Sequence, residues 1–138
     1  MTALTSNFNR TEKEGKLVSM PAGANHIYKN ALLMLNASGF VQPAAALAGA
    51  VYAGMAYEEC NNSGGAAGDK SVRIERESAI EIAGSGFVAG DLGKEVYASD
   101  DNTVSTTQGA NEVAVGIIIE VIAADKVLVK QNTLVAKP

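Results

Sequence analysis

The sequence has no tryptophan, one cysteine and one histidine, and its aromatic share is 5%. A lone Cys60 cannot form an internal disulfide or a cysteine-built zinc cluster. It therefore gives no sign of an oxidising compartment. Any Ser-His-Asp or Cys-His site would have to use His26, which stands where an apolar strand begins and reads as structural or exposed. Excess positive charge is missing too: 11 Lys and Arg face 15 Asp and Glu, for a net charge of −4. A nucleic-acid reader needs a basic footprint, so that class is disfavoured. No apolar run approaches the about 20 residues of a membrane span. The longest weakly apolar stretch, Pro43 to Tyr57, contains Gly49 and Gly54. The N-terminus reaches Arg10, Glu12, Lys13 and Glu14 before any apolar run, unlike a secretion leader, so synthesis in the cytoplasm is expected.

What is present is aliphatic. The chain of 138 residues is 47% hydrophobic, with only four Tyr and three Phe, so a core of Val, Ile, Leu and Ala is expected. This is the length of one domain, and such a domain buries about 68–70% of its unfolded surface. We divide it into an N-terminal arm, residues 1–15, and a single β domain, residues 16–138. The arm is polar and reads either as a mobile tail or as a segment that orders on a neighbouring subunit, with Leu4 and Phe8 as its anchors.

The domain reads as strands and turns. Glu95 to Ala98 stops at Ser99-Asp100-Asp101-Asn102, where Asp and Asn close turns onto their own backbone. Thr103 to Thr106 resumes extended structure. Val113 to Ile122 is β-branched, with Gly116 marking a bulge or close backbone approach. Asp125 turns the chain into Val127-Leu128-Val129. The same series occurs earlier: Leu33–Val41 matches Val96–Val104, Val51–Glu58 matches Val113–Glu120, and Ser71–Ile74 matches Lys126–Val129. Two degenerate copies of one β unit follow. Lys16 to Met20 reads as a short strand ended by Pro21-Ala22-Gly23, and His26 to Leu35 as a strand with a turn or bulge at Asn30. Pro43 to Ala50 reads as a loop with room for one helical turn. Cys60 is expected to be half-buried at a strand end. Ser71 to Ala83 alternates, with a bend or bulge at Arg76 to Ser78. The fold class is therefore all-β, a small antiparallel β-sandwich or jelly-roll-like barrel.

No catalytic, cofactor or metal site is expected. Gly64 to Ser71 ends in Lys70-Ser71 like a phosphate loop, but Asp69 replaces the glycine before the lysine and a strand follows. Asp100-Asp101-Asn102 lacks the alternating ligands and closing Glu of a calcium loop. Glu58-Glu59 and the pair Glu75 and Glu77 read as solvated faces. The polar loops, with Asn61, Asn62, Asp69, Asp100, Asp101 and Asn102, are the candidate contact residues, together with Leu4 and Phe8.

Four stretches resemble the capsid decoration, or cement, proteins of tailed bacteriophages. They are Ile27–Leu33 with Asn36–Pro43, Ala53–Ala56 leading to Asn61–Ile74, Asp91–Val104, and Val115–Ile118 with the final Val127–Val129 strand. Asn30 stands where glycine is expected. The resemblance covers most of residues 27 to 130 and leaves out the arm. It implies a structural, non-enzymatic protein on the outer surface of the virion. It further implies a homo-oligomer, dimer or trimer, bound to the major capsid protein without a cofactor, nucleic acid or membrane. Two other classes compete. A small ligand- or carbohydrate-binding β domain would need an aromatic platform from Tyr28, Tyr52, Tyr57 or Tyr97. A hydrolase would need carboxylates such as Glu58, Glu75 and Asp100.

Overall fold

The computed structural model describes residues 17–132. The arm with Leu4 and Phe8, and residues 133–138, lie outside the described residues. Among the described residues there are twelve strands: β1 (Leu17–Pro21), β2 (His26–Ile27), β3 (Leu32–Leu35), β4 (Val41–Pro43), β5 (Val51–Ala56), β6 (Cys60–Asn61), β7 (Ser71–Glu75), β8 (Ala79–Ala83), β9 (Glu95–Ala98), β10 (Val104–Ser105), β11 (Ala114–Ala123) and β12 (Lys126–Gln131). One short 3-10 turn, Ala89–Asp91, precedes β9. Pro43 to Ala50 contains no helix: five apolar residues without a packing surface do not hold one.

The repeat is real in three dimensions. One sheet runs β1-β7-β5-β3-β4, and the other, written from the matching edge, runs β8-β12-β11-β9-β10. Every strand pair within them is antiparallel. Position by position, β3, β4, β5 and β7 correspond to β9, β10, β11 and β12, and β1 corresponds to β8. That last pair is absent from the sequence matches, because Leu17–Pro21 and Ala79–Ala83 share only an alternation. The register shows it: Val18 faces Ile74 as Ile80 faces Val129, and Met20 faces Val72 as Ile82 faces Val127. In each sheet a single parallel bridge, Ala22 to Val41 or Ala83 to Thr103, draws the two outer strands together and curls the sheet. The small β2–β6 ladder belongs to the first unit alone.

Two matched positions explain how the unit is built. Gly54 and Gly116 sit at the same bulge. A Cβ on Gly54 would collide with Ile74 Cγ2 and lie 2.7 Å from the Glu75 carbonyl oxygen. One on Gly116 would collide with the Lys130 carbonyl oxygen and lie 3.0 Å from Val129 Cγ1. The obstacles are themselves matched residues. The second position is Asn30, which has φ 70 where its counterpart Gly93 has φ 87. Both donate their N–H across to the neighbouring strand, to Ala56 O and Ile118 O at 2.8 and 2.9 Å. Asparagine is one of the few side chains that tolerates left-handed backbone, so it replaces glycine here.

The alternating run Ser71 to Ala83 is not one bent strand. The break at Arg76 to Ser78, with Glu77 at φ 66, sends the chain from β7 in the first sheet to β8 in the second. Arg76 and Ser78 would have fallen on the apolar face of a continuous strand. The chain leaves the sheet instead.

The cores are unequal. Ala22, Ile27, Leu33, Val41, Ala53, Ala56, Val72 and Ile74 close a core inside the first unit. Ile80, Ile82, Val96, Val104, Val115, Val127 and Val129 do so in the second, but there Leu32, Met34 and Tyr52 from the first sheet join them. So β3 and β5 are buried on both faces, which is why they read as continuous apolar runs, while β7, β8 and β9 alternate. Tyr52 carries a buried side-chain link in this seam. Its hydroxyl donates to Gln131 Oε1 at 2.5 Å, and Gln131 Nε2 donates to Ser78 Oγ at 3.0 Å. Burial pushes the Tyr52 phenol well above its ordinary pKa, so it stays a neutral donor.

Cys60 is buried in the first core rather than half-buried, because β2 covers it. Its Sγ lies 3.9 Å from the Ser71 carbonyl oxygen. That oxygen can accept from a serine hydroxyl, so Cys60→Ser is expected to cost about 1–2 kcal/mol in urea unfolding. A loss above about 3 kcal/mol would show a tighter thiol environment than this contact implies.

Candidate functional site

The loops predicted as contacts differ sharply in what their side chains do. In the loop after β6, Asn61 Oδ1 accepts from the N–H and hydroxyl of Ser63, at 3.1 and 2.6 Å. Asp69 Oδ2 caps Ala66 N–H at 2.9 Å. Lys70 Nζ donates to Asn61 O at 2.7 Å. Asn62 has to be corrected as a contact residue: it is only 1% exposed. Its Nδ2 donates to the carbonyls of Ala22, Gly23 and Ala66 and ties the loop to the end of β1. A loop with few apolar residues uses its polar ones as its core. Ser71 starts a strand, so no helix N-terminus faces a phosphate here.

In the turn after β9, Asp100 Oδ1 accepts from the N–H groups of Asn102 and Thr103, both at 2.8 Å. The Asp101 carbonyl accepts from Leu32 N–H at 2.8 Å. This second contact joins the two units. It sets Asp101 and Asn102 opposite Tyr28, Lys29, Asn30 and Ala31 across an open cleft of about 280 Å³. Sequence reasoning named one wall of this cleft as a contact and, of the other, named only Tyr28 for binding, as one of four aromatic platforms a carbohydrate site would need. The signal was the matched turn position of Asn30, which has the same role as Gly93.

Tyr28 is the notable member. It is 59% exposed, and its ring stacks on His26 with centroids 4.2 Å apart. His26 Nε2 in turn meets Glu59 Oε2 at 2.6 Å. Cys60 does not join this pair as a nucleophile: it is buried and turned to Ser71.

The carboxylates weighed for hydrolysis are committed elsewhere or apart. Glu58 holds Arg73 through its backbone N–H, Nε and Nη2 at 2.9–3.1 Å, and these hydrogen bonds keep its carboxyl below its usual range. Arg73 also lies over the Tyr57 ring at 5.1 Å. Glu75 and Glu77 do not share a strand face, since Glu77 sits in the break between the sheets. Asp91 is bound by Val88 N–H and Lys94, which lower its pKa. No group of three or more His, Cys, Asp or Glu residues among the described residues could hold a metal ion.

One surface was not foreseen. Ile117, Ile119 and Ile122 on β11 are exposed, as are Val88 and Leu92 around the 3-10 turn. The turn's exit is bonded to β11, with Gly93 N–H on Ile118 O and Ile118 N–H on Lys94 O, both at 2.9 Å. In the first unit the positions matching Ile119 and Leu128 hold Tyr57 and Arg73, which form the polar cluster just described. The second unit has aliphatic side chains in their place. Comparison with protein-family models, curated proteins and solved structures finds no match to this chain.

Proposed function

We propose that this is a structural protein of a phage head. On this reading it decorates the outside of the assembled capsid and stabilises it by bridging major capsid protein subunits, with no enzymatic activity. The reading starts from the resemblance of residues 27–130 to cement proteins. The observation that carries it further is the aliphatic strip of Ile117, Ile119 and Ile122 beside Val88 and Leu92. Isolated exposed apolar residues need no explanation, but several aliphatic side chains exposed on one strand and on the turn bonded to it support a surface for another protein. We assign the strip to sister copies in a homo-oligomer, and the exposed turns to the lattice. An oligomer touching several subunits gains avidity of about 10²–10⁴ without strong individual contacts. Binding the assembled lattice but not free subunits then stabilises the lattice by mass action.

The test mixes the purified protein with undecorated expanded heads and with free capsid subunits. Sedimentation is expected to show binding to heads only, and head melting to rise. An Ile119→Glu variant is expected to stay folded, sediment as a smaller species and lose most head binding. Equal binding to heads and subunits, or no gain in head stability, would remove the cementing role.

A further inference from the structure

We propose that the cleft between Tyr28 and Asp101 binds the ring of a neutral sugar. The site is distinguished by which polar groups are spent and which are not. Around the other turns the side chains serve their own backbone: Asn61, Asp69, Asn62 and Asn36 all do so. At the cleft the reverse holds. The backbone is pinned from both units, through Asn30 N–H to Ala56 O, Leu32 N–H to Asp101 O, and Asp100 Oδ1 to Asn102 N–H. Yet the side chains of Lys29, Asn30, Asp101 and Asn102 make no hydrogen bond or ion pair among the described residues. Four uncommitted polar heads on pinned backbone leave their donors and acceptors open to a ligand, and the cost of ordering these side chains keeps the affinity weak.

Their chemistry selects the ligand. Two amides offer both donors and acceptors, which suits adjacent hydroxyl groups. Lys29 and Asp101 cancel in charge, which favours neither an anion nor a cation. Tyr28 supplies an apolar ring face with a polar tip, and the His26 stack and Glu59 hydrogen bond hold it in place. A pyranose presents an apolar ring face edged with hydroxyls, and a cleft of about 280 Å³ admits one ring. The site lies on described residues of a single chain and does not depend on the capsid reading.

The experiment titrates the isolated full-length protein with glucose, galactose, mannose and N-acetylglucosamine, read by ligand-observed NMR and by chemical shifts of Tyr28. Saturable binding of at least one sugar is expected, with Kd on the order of millimolar. Tyr28→Ala and Asp101→Asn are each expected to weaken it about tenfold, with thermal melting unchanged. Tyr57→Ala, at an exposed tyrosine held under Arg73, is expected to bind as the parent does. The proposal is overturned if no sugar saturates below about 50 mM, or if Tyr28→Ala binds as well as the parent. Tenfold tighter binding of glucuronate or glucosamine would overturn the neutral assignment.

Discussion

Gly116→Ala is expected to destabilise the domain by more than about 3 kcal/mol, a large effect for one added methyl group. The added Cβ would collide with the Lys130 carbonyl oxygen and come within 3.0 Å of Val129 Cγ1. A flexible side chain could swing aside. A backbone carbonyl cannot, because Lys130 is held in register against both Ile117 and Ala79. Relief would require β11 and β12 to separate in the middle of the second sheet. Gly54→Ala makes the matching collision with Ile74 and Glu75 and adds a left-handed strain, since Gly54 has φ 146. It should cost at least as much. Urea unfolding of both variants measures this. A loss below about 1 kcal/mol at Gly116 would mean that the bulge absorbs a methyl group.

Tyr52→Ala is expected to cost about 3–5 kcal/mol, as truncation of a fully packed aromatic does. Tyr52 is 2% exposed and sits where the first sheet meets the core of the second. The more informative change is Tyr52→Phe. It keeps the packing but leaves Gln131 Oε1 buried without its donor, at a cost of about 1–3 kcal/mol. Replacing both residues, as Tyr52→Phe with Gln131→Leu, is expected to recover much of that loss, because the buried acceptor is gone and Ser78, which loses Gln131 Nε2, is half-exposed and open to water. A double variant as unstable as the sum of its parts would show that Tyr52 and Gln131 are not coupled and that their hydrogen bond does not hold the seam.

Much of the architecture was legible because it was written twice. The match of Val51–Glu58 to Val113–Glu120 placed Gly54 on Gly116, and the two collisions show why both are glycine. Asn30 was noted as standing for glycine, and its φ gives the reason. The pairing of β1 with β8 was not legible. Short alternating strands carry only a period of two, and any such pair matches any other. Nor was the unequal core, since a run such as Leu32–Leu35 shows that both faces are covered but not what covers each.

The site was harder to read. Composition marks Asn61 to Asp69 as a loop but does not distinguish Asn62, turned inward on three carbonyls, from Asn61, turned out. Asp101 and Asn102 were named for their turn, while Tyr28 and Lys29 across the cleft come from the other unit, about seventy residues earlier in the chain. That nearness follows from the docking of the two units, through Leu32 N–H to Asp101 O. No local pattern in either turn carries it.

The break at Arg76 to Ser78 has a consequence for how the chain can assemble during synthesis. Every strand of the first sheet lies between Leu17 and Glu75, and no strand is exchanged across the break. The leading unit therefore holds all its own pairing partners before Ala79 leaves the ribosome. The trailing unit does not stand alone in the same way, because its core includes Leu32, Met34 and Tyr52 from the leading one. One half of the molecule can act as the template on which the other is completed.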